Sequence, residues 1–146
     1  MSDTLHVATR KGLFTLKRKS STWEIDRVDF LGHTVTMLLE DHRNGSLYAC
    51  LTLGHFGCKL HRSDDGGVNW RELSVPVYPK DAVFAVPSFE EGVPPSTKPA
   101  SLSEIWALET ADDQPNALWA GTIPGGLFRS EDGGETWNLN RSLWDR

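Results

Sequence analysis

Short hydrophobic runs alternate with polar turns along almost the whole chain. The runs are rich in β-branched and aromatic residues and are bounded by Gly, Asn, Asp or Pro, a pattern typical of β-strands joined by turns. No window shows the period of an amphipathic helix. The pattern predicts an all-β protein with strands at 4–9, 12–18, 22–30, 34–40, 46–53, 59–63, 69–75, 104–110, 117–122, 126–130 and 136–139.

One turn sequence occurs twice, at 60–70 and at 127–137. Both copies have the form Ser-x-Asp-x-Gly-x-x-Trp, with Ser63, Asp65, Gly67 and Trp70 in the first and Ser130, Asp132, Gly134 and Trp137 in the second. Serine and aspartate side chains accept hydrogen bonds from nearby backbone N–H groups, and glycine permits a positive φ. Each copy is therefore predicted to be a hairpin turn whose carboxylate has a structural role.

The two turns also organise the chain. Alignment on them gives two four-stranded units at about 33–75 and 103–140, whereas residues 4–30 supply three strands. In this first unit, residues 19–22 take the place of the repeated turn and Trp23 that of its tryptophan. The proline-rich segment 76–103 is predicted to be an insertion that covers a sheet edge or a neighbouring subunit. The three units and the insertion form one domain over 1–146.

The repeated turns resemble the Asp-box, or BNR repeat, of sialidase-type β-propellers. Segments 5–14, 54–57 and 118–122 further resemble a bacterial group labelled exo-sialidase-like or BNR-repeat glycosyl hydrolases. The resemblance implies four-stranded antiparallel blades, about three in this chain, with the Asp-box between the third and fourth strands of a blade. It covers nearly the whole chain, but only the N-terminal part of a protein of roughly seven blades.

Three blades do not close a ring, because closed propellers use about 4–8 blades. An open arc would leave sheet edges and apolar blade faces exposed. We therefore expect a homo-oligomer in which copies complete the ring, or else the remainder of a larger propeller. Whether residue 146 is a natural end is left open.

Strand direction alternates within a blade, so the Asp-box turns lie on one rim and the connections between successive blades lie on the other. We expect ligands on this second rim, and its candidate ligand-binding residues are Arg10, Lys11, His33, His55 and Trp144. The interpretation that follows is a scaffold that binds a ligand, with carbohydrate as a candidate, through the rim opposite the Asp-boxes. No cofactor is implied.

The alternative is a glycoside hydrolase with a sialidase-like fold. Glycoside hydrolysis requires two carboxylates about 5–9.5 Å apart, and the candidates on the ligand rim are Asp81 and Glu104. A true sialidase is not expected, because that family needs three arginines and a tyrosine nucleophile, whereas Arg10 alone fits and Tyr48 falls inside a strand. The acidic pair 40–41 is predicted to be solvated.

Charge and composition limit the classes of partner that we expect this protein to bind. The 146 residues carry a net charge of −5 without a basic stripe, which argues against nucleic acid. The sequence has neither a secretory signal pattern nor a long apolar run, and we expect no membrane association and a cytoplasmic location. His33 and His55 lack any metal-ligand spacing, so no metal site is predicted.

Overall fold

A computed structural model describes residues 3–146 of the chain. Within this range it contains thirteen strands, a 3-10 turn and a single-turn helix. The strands are β1 (Thr4–Thr9), β2 (Gly12–Lys19), β3 (Thr22–Asp29), β4 (Thr34–Asp41), β5 (Ser46–Thr52), β6 (Cys58–Ser63), β7 (Arg71–Leu73), β8 (Val83–Val86), β9 (Ser96–Pro99), β10 (Glu104–Thr110), β11 (Leu118–Ile123), β12 (Leu127–Ser130) and β13 (Asn138–Leu139); the 3-10 turn is Gly54–Phe56 and helix α1 is Arg141–Trp144. No helix among these residues has the length and apolar character needed to cross a bilayer.

The strands form three antiparallel sheets that follow chain order. They are blade 1 (β1-β2-β3), blade 2 (β4-β5-β6-β7) and blade 3 (β10-β11-β12-β13), and a separate hairpin joins β8 to β9. The predicted fold class, all-β with propeller blades and about three blades per chain, is confirmed.

Three local details differ from the sequence prediction. The last strands of blades 2 and 3 begin only at Arg71 and Asn138, because the residues before them are held in the repeated turns. The insertion contains the hairpin β8-β9 rather than an unstructured loop. The chain then ends in helix α1, whose first turn is capped by the Asn140 side chain, which accepts a hydrogen bond from the Leu143 N–H.

Among residues 3–146, blade 1 has three strands and no counterpart of the innermost strands of blades 2 and 3. In blades 2 and 3 the repeated turn joins the third strand to the fourth, and the equivalent turn of blade 1 joins β2 to β3. Strand β1 is therefore a second strand, yet it lies beside β4, the innermost strand of blade 2. One edge of β1 is consequently open toward the propeller axis.

Apolar residues fill the spaces between blades. The larger cluster lies between blades 2 and 3 and includes Leu60, Leu108 and Phe128, all with no exposed surface. The smaller cluster, between blades 1 and 2, includes Leu13 and Leu51. Burial of a leucine or phenylalanine side chain stabilises a fold by about 1.5–3 kcal/mol, so these clusters fix how the blades stack.

Both copies of the repeated turn have the same internal hydrogen bonds. Ser63 Oγ donates to Asp65 Oδ1 at 2.7 Å and accepts from the Gly67 N–H at 2.8 Å, and the Asn69 N–H donates to Asp65 Oδ1 at 2.9 Å. The second turn repeats this arrangement around Ser130 and Asp132. The backbone N–H and side-chain amide of Asn69, together with the Ser63 hydroxyl, lower the pKa of Asp65 to about 2. The aspartate carboxylate of each repeated turn thus accepts hydrogen bonds from donors of its own turn.

Each repeated turn also contacts the preceding blade. Arg27 of blade 1 donates to the Gly66 carbonyl at 2.9 Å. Tyr48 of blade 2 donates through its buried hydroxyl to the Gly133 carbonyl at 3.2 Å, and the Trp137 indole N–H donates to the Ser74 carbonyl at 3.1 Å. The turns therefore link neighbouring blades along this rim.

A buried ion pair at the β4–β5 turn of blade 2 contacts blade 3. The prediction that the acidic pair 40–41 is solvated is wrong for Asp41 and confirmed for Glu40, which is exposed. The Asp41 side chain is 1% exposed and lies 2.8 Å from Arg43 Nη2. Arg43 in turn donates to the backbone carbonyls of Ala111, Gln114 and Ala117 in the β10–β11 turn. The guanidinium lowers the pKa of Asp41, while burial opposes that shift.

Candidate functional site

The rim opposite the repeated turns is formed by the β1–β2 turn, the β3–β4 connection, the β5–β6 turn and the start of β10. These segments meet because β1 and β5 end at this rim, where β4 and β10 begin. The Gly32 N–H donates to the Lys11 carbonyl at 3.0 Å, and Thr34 Oγ1 donates to the Arg10 carbonyl at 3.5 Å. The β1–β2 turn is thereby fixed against the start of blade 2.

A depression of about 470 Å³ opens between the ends of these strands. We call it the axial depression, and its polar lining consists of Thr9, Arg10, Thr34, Thr36, Thr52 and Glu104. Volumes of about 300–1,000 Å³ are typical of small-molecule sites. The depression brings together Arg10 and Glu104, which the sequence predicted for the same rim but for different roles.

Arg10 and Glu104 carry the only formal charges in this lining. Arg10 is exposed and Glu104 is partly buried, and among the described residues neither head group forms an ion pair or a side-chain hydrogen bond. Glu104 acts on its surroundings through its charge, because it adds to the effect of burial in raising the pKa of the Cys58 thiol. Two opposite charges therefore line one opening without neutralising each other.

Most threonine hydroxyls of the lining are used by the protein itself. Thr9 Oγ1 donates to the Gly12 carbonyl at 2.8 Å. Thr36 Oγ1 lies 3.0 Å from the Ile105 carbonyl, which joins β4 of blade 2 to β10 of blade 3. Thr52 Oγ1 is the exception, since it is buried without a hydrogen-bond partner.

This orphaned hydroxyl gives a stability prediction. We expect the free energy of unfolding of Thr52→Val to equal that of the native protein or to exceed it by up to about 2 kcal/mol. Valine has a similar shape, and burying an unpaired hydroxyl is costly. The matched control is Thr122→Val, which should lose about 1–3 kcal/mol, because Thr122 is 1% exposed and its hydroxyl bonds the Tyr78 hydroxyl at 2.6 Å. Urea unfolding of both variants measures the contrast. A destabilised Thr52→Val variant would contradict the prediction.

The other ligand-rim candidates lie outside the axial depression. Lys11 follows Arg10 in the turn, and His33 and His55 are exposed in their own loops. Gly32 and Gly54 beside these histidines have φ of +86° and +59°, as expected for tight turns. Among the described residues, no three side chains of the metal-ligating types come together.

Asp81 also lies outside the axial depression, where it pairs with an arginine. Both of its carboxylate oxygens accept hydrogen bonds from Arg141 Nη2 at 2.7 Å, across the insertion and helix α1. This contact lowers the pKa of Asp81. Asp81 does not line the axial depression, so the two carboxylates considered for hydrolysis do not face one another across it.

Trp144 lies at a second, smaller cavity. Its ring packs on Tyr78 with 5.1 Å between centroids, and it lines a cavity of about 240 Å³ with Val83, Leu127 and Leu143. The sequence signal for this cavity was the apolar stretch 82–86 in the insertion, but its partner, helix α1, was not predicted.

Comparison with known proteins supports the fold and goes no further. No family model matches the sequence, and no curated protein matches it. Among solved structures, the chain is similar to one described as "YCF48 bound to D1 peptide", a β-propeller, with a TM-score of 0.53 and 16% sequence identity over 92% of this chain. The match spans 36% of that chain, so this chain corresponds to about a third of the length of the propeller it matches.

Proposed function

We propose that this chain is a β-propeller scaffold that binds a ligand in the axial depression, on the rim opposite the Asp-box turns. The observation that carries the proposal is the pairing of Arg10 and Glu104 in one depression of about 470 Å³, with neither charge used by the protein. By contrast, the aspartate carboxylates of the two Asp-box turns accept hydrogen bonds within their own turns. These carboxylates are therefore not free to bind a ligand on the Asp-box rim.

The scaffold interpretation is favoured over glycoside hydrolysis. The axial depression has one carboxylate in its lining, that of Glu104, whereas hydrolysis with either stereochemistry requires two. Asp81 is bound by Arg141. If the chain is an enzyme, glycoside hydrolysis would be its reaction, but binding without turnover fits a lining with a single carboxylate better.

The same proposal includes completion of the ring by more polypeptide. Antiparallel pairs alternate between bonded and non-bonded residues, and the Arg18 N–H donates to the Asp3 carbonyl at 2.9 Å. In the register that follows, His6 and Ala8 direct their backbone N–H and C=O groups to the open edge of β1. An added strand would pair with these groups, as in peptide recognition by β-augmentation. The solved neighbour's D1 peptide is a precedent for polypeptide binding by a similar fold.

The outward faces of the terminal blades support closure as well. Ile25 on blade 1 is 62% exposed and Trp106 on blade 3 is 59% exposed, and such side chains pack against a neighbouring blade in a closed ring. A second copy of this chain would supply that neighbour, and further sequence of a longer protein would serve equally.

Ligand screening combined with solution mass tests the proposal. We expect a saccharide and small-metabolite panel to contain compounds that raise the melting temperature of the native chain but not that of an Arg10→Ala/Glu104→Ala variant. Light scattering should give a multiple of the chain mass of 16.3 kDa. A compact, soluble monomer with no ligand whose effect depends on these two residues would overturn the proposal.

A further inference from the structure

We propose that the ligand of the axial depression is a small zwitterion of the α-amino acid class, with its carboxylate on Arg10 and its ammonium group on Glu104. This inference rests on the proposed ligand-binding function and specifies its chemistry. The separation of two unpaired opposite charges within one small depression is the feature that carries it.

Arg10 differs from most arginines of the described chain. Six others form ion pairs with carboxylates, namely Arg27, Arg43, Arg62, Arg71, Arg129 and Arg141. Arg10 has a carboxylate in the same depression and still does not pair with it. The guanidinium therefore keeps its planar set of donors, which suits a carboxylate bound through two parallel hydrogen bonds.

Glu104 provides the complementary half. It begins β10, so the backbone of an innermost strand fixes its position, whereas Arg10 extends from the β1–β2 turn. Part of its surface is buried, which strengthens its attraction for a cation relative to a fully solvated carboxylate. The two head groups thus come from separate blades and line the same depression.

Only a zwitterion satisfies both charges at once. A monoanion would pair with Arg10 but be repelled by Glu104, and a monocation would meet the reverse situation. A neutral sugar would leave both ions without a charged partner. Ala8 and Val35 add apolar surface to the lining, where the side chain of a small amino acid would lie.

Three probes that share the valine side chain distinguish the contributions of the carboxylate and the ammonium group to binding. Calorimetric titration of the full-length chain would use L-valine, N-acetyl-L-valine and L-valinamide, which carry both charges, the carboxylate alone and the ammonium group alone. We expect L-valine to bind about 10- to 100-fold more tightly than either derivative, the factor of one lost charge-assisted hydrogen bond.

Variants assign each charge to its residue. Arg10→Gln should weaken L-valine about 10-fold or more without weakening L-valinamide. Glu104→Gln should weaken L-valine to a similar extent without weakening N-acetyl-L-valine. Arg71→Gln is the control, because it removes one positive charge from an exposed ion pair with Glu135 far from the depression. It should leave all three affinities unchanged.

The outcomes distinguish this inference from the function on which it rests. Equal binding of the three probes, or no binding of any amino acid alongside Arg10-dependent binding of a saccharide, would overturn the zwitterion assignment and leave the scaffold proposal standing. If no compound of either class bound in a manner dependent on Arg10 or Glu104, both would fail.

Discussion

Arg43→Ala is expected to destabilise the protein by about 3–5 kcal/mol, the usual cost of removing one partner of a buried ion pair. The variant leaves the Asp41 carboxylate 1% exposed without its cation. It also removes the donors of three carbonyls in the β10–β11 turn, so the contact between blades 2 and 3 weakens at the same time. Equilibrium urea unfolding at neutral pH measures the loss.

The control is an exposed ion pair that joins blade 2 to blade 3. Arg71 and Glu135 lie 2.6 Å apart, but their side chains are 49% and 50% exposed. Exposed pairs contribute about 0–1 kcal/mol, and Arg71→Ala should therefore change stability little. Equal effects of the two substitutions would show that burial does not decide the contribution of Arg43.

Acid should abolish much of the advantage of the buried pair. The pKa of Asp41 is lower in the folded protein than its ordinary value of 3.8, chiefly through the Arg43 hydrogen bond. A carboxyl with a lowered folded pKa stabilises the fold fully above its unfolded pKa, and this contribution is lost as pH falls through the folded value. Without Arg43, burial raises the pKa of Asp41, so the difference in stability between native protein and Arg43→Ala should be largest at neutral pH. It should shrink as pH falls from this raised pKa of the variant toward the lowered pKa of the native Asp41.

Gly12→Ala is expected to have the second large effect, a loss of about 2–5 kcal/mol of stability. Gly12 follows the turn that carries Arg10 and has a φ of +133°. A Cβ atom there would lie 2.8 Å from the Asp29 carbonyl oxygen, which is backbone and does not move aside by rotating. The turn and the axial depression would shift together.

The Gly32→Ala variant separates the cost of a positive φ from the steric cost of the added Cβ atom. Gly32 lies in the adjoining connection with a φ of +86°, but nothing lies within 4 Å of its added Cβ. This variant should show the conformational penalty alone, about 1–2 kcal/mol. Thermal unfolding of both variants gives the comparison, and a Gly12→Ala protein as stable as Gly32→Ala would show that the close approach to Asp29 is not restrictive.

Local features of the fold were accessible from the sequence. The strand β10 was predicted with its observed bounds, because alternation of side chains across a sheet is written in consecutive residues. The hydrogen bonding of the repeated turns was also predictable, since Ser63, Asp65 and Gly67 bond within five consecutive positions. The three-stranded first unit was predicted as well, by counting strands relative to these turns.

The lining of the axial depression could be predicted only in part. Arg10 and Glu104 were both assigned to the ligand rim, but Glu104 was considered with Asp81 rather than with Arg10. The pairing of Asp81 with Arg141 joins residues 60 positions apart, and no local pattern marks it. Trp144 was assigned to the ligand rim as well, and its contact with Tyr78 beside the second cavity was not predicted.

The sequence by itself determined the strands, the repeated turns and their grouping into blades, because each depends on residues close together in the chain. The tertiary structure alone decided which charges stay free. Arg43 finds its carbonyl partners 68 to 74 positions away, while Arg10 and Glu104 line one depression without pairing. Such pairings depend on how neighbouring blades stack, and stacking is a property of three-dimensional packing between segments distant in sequence.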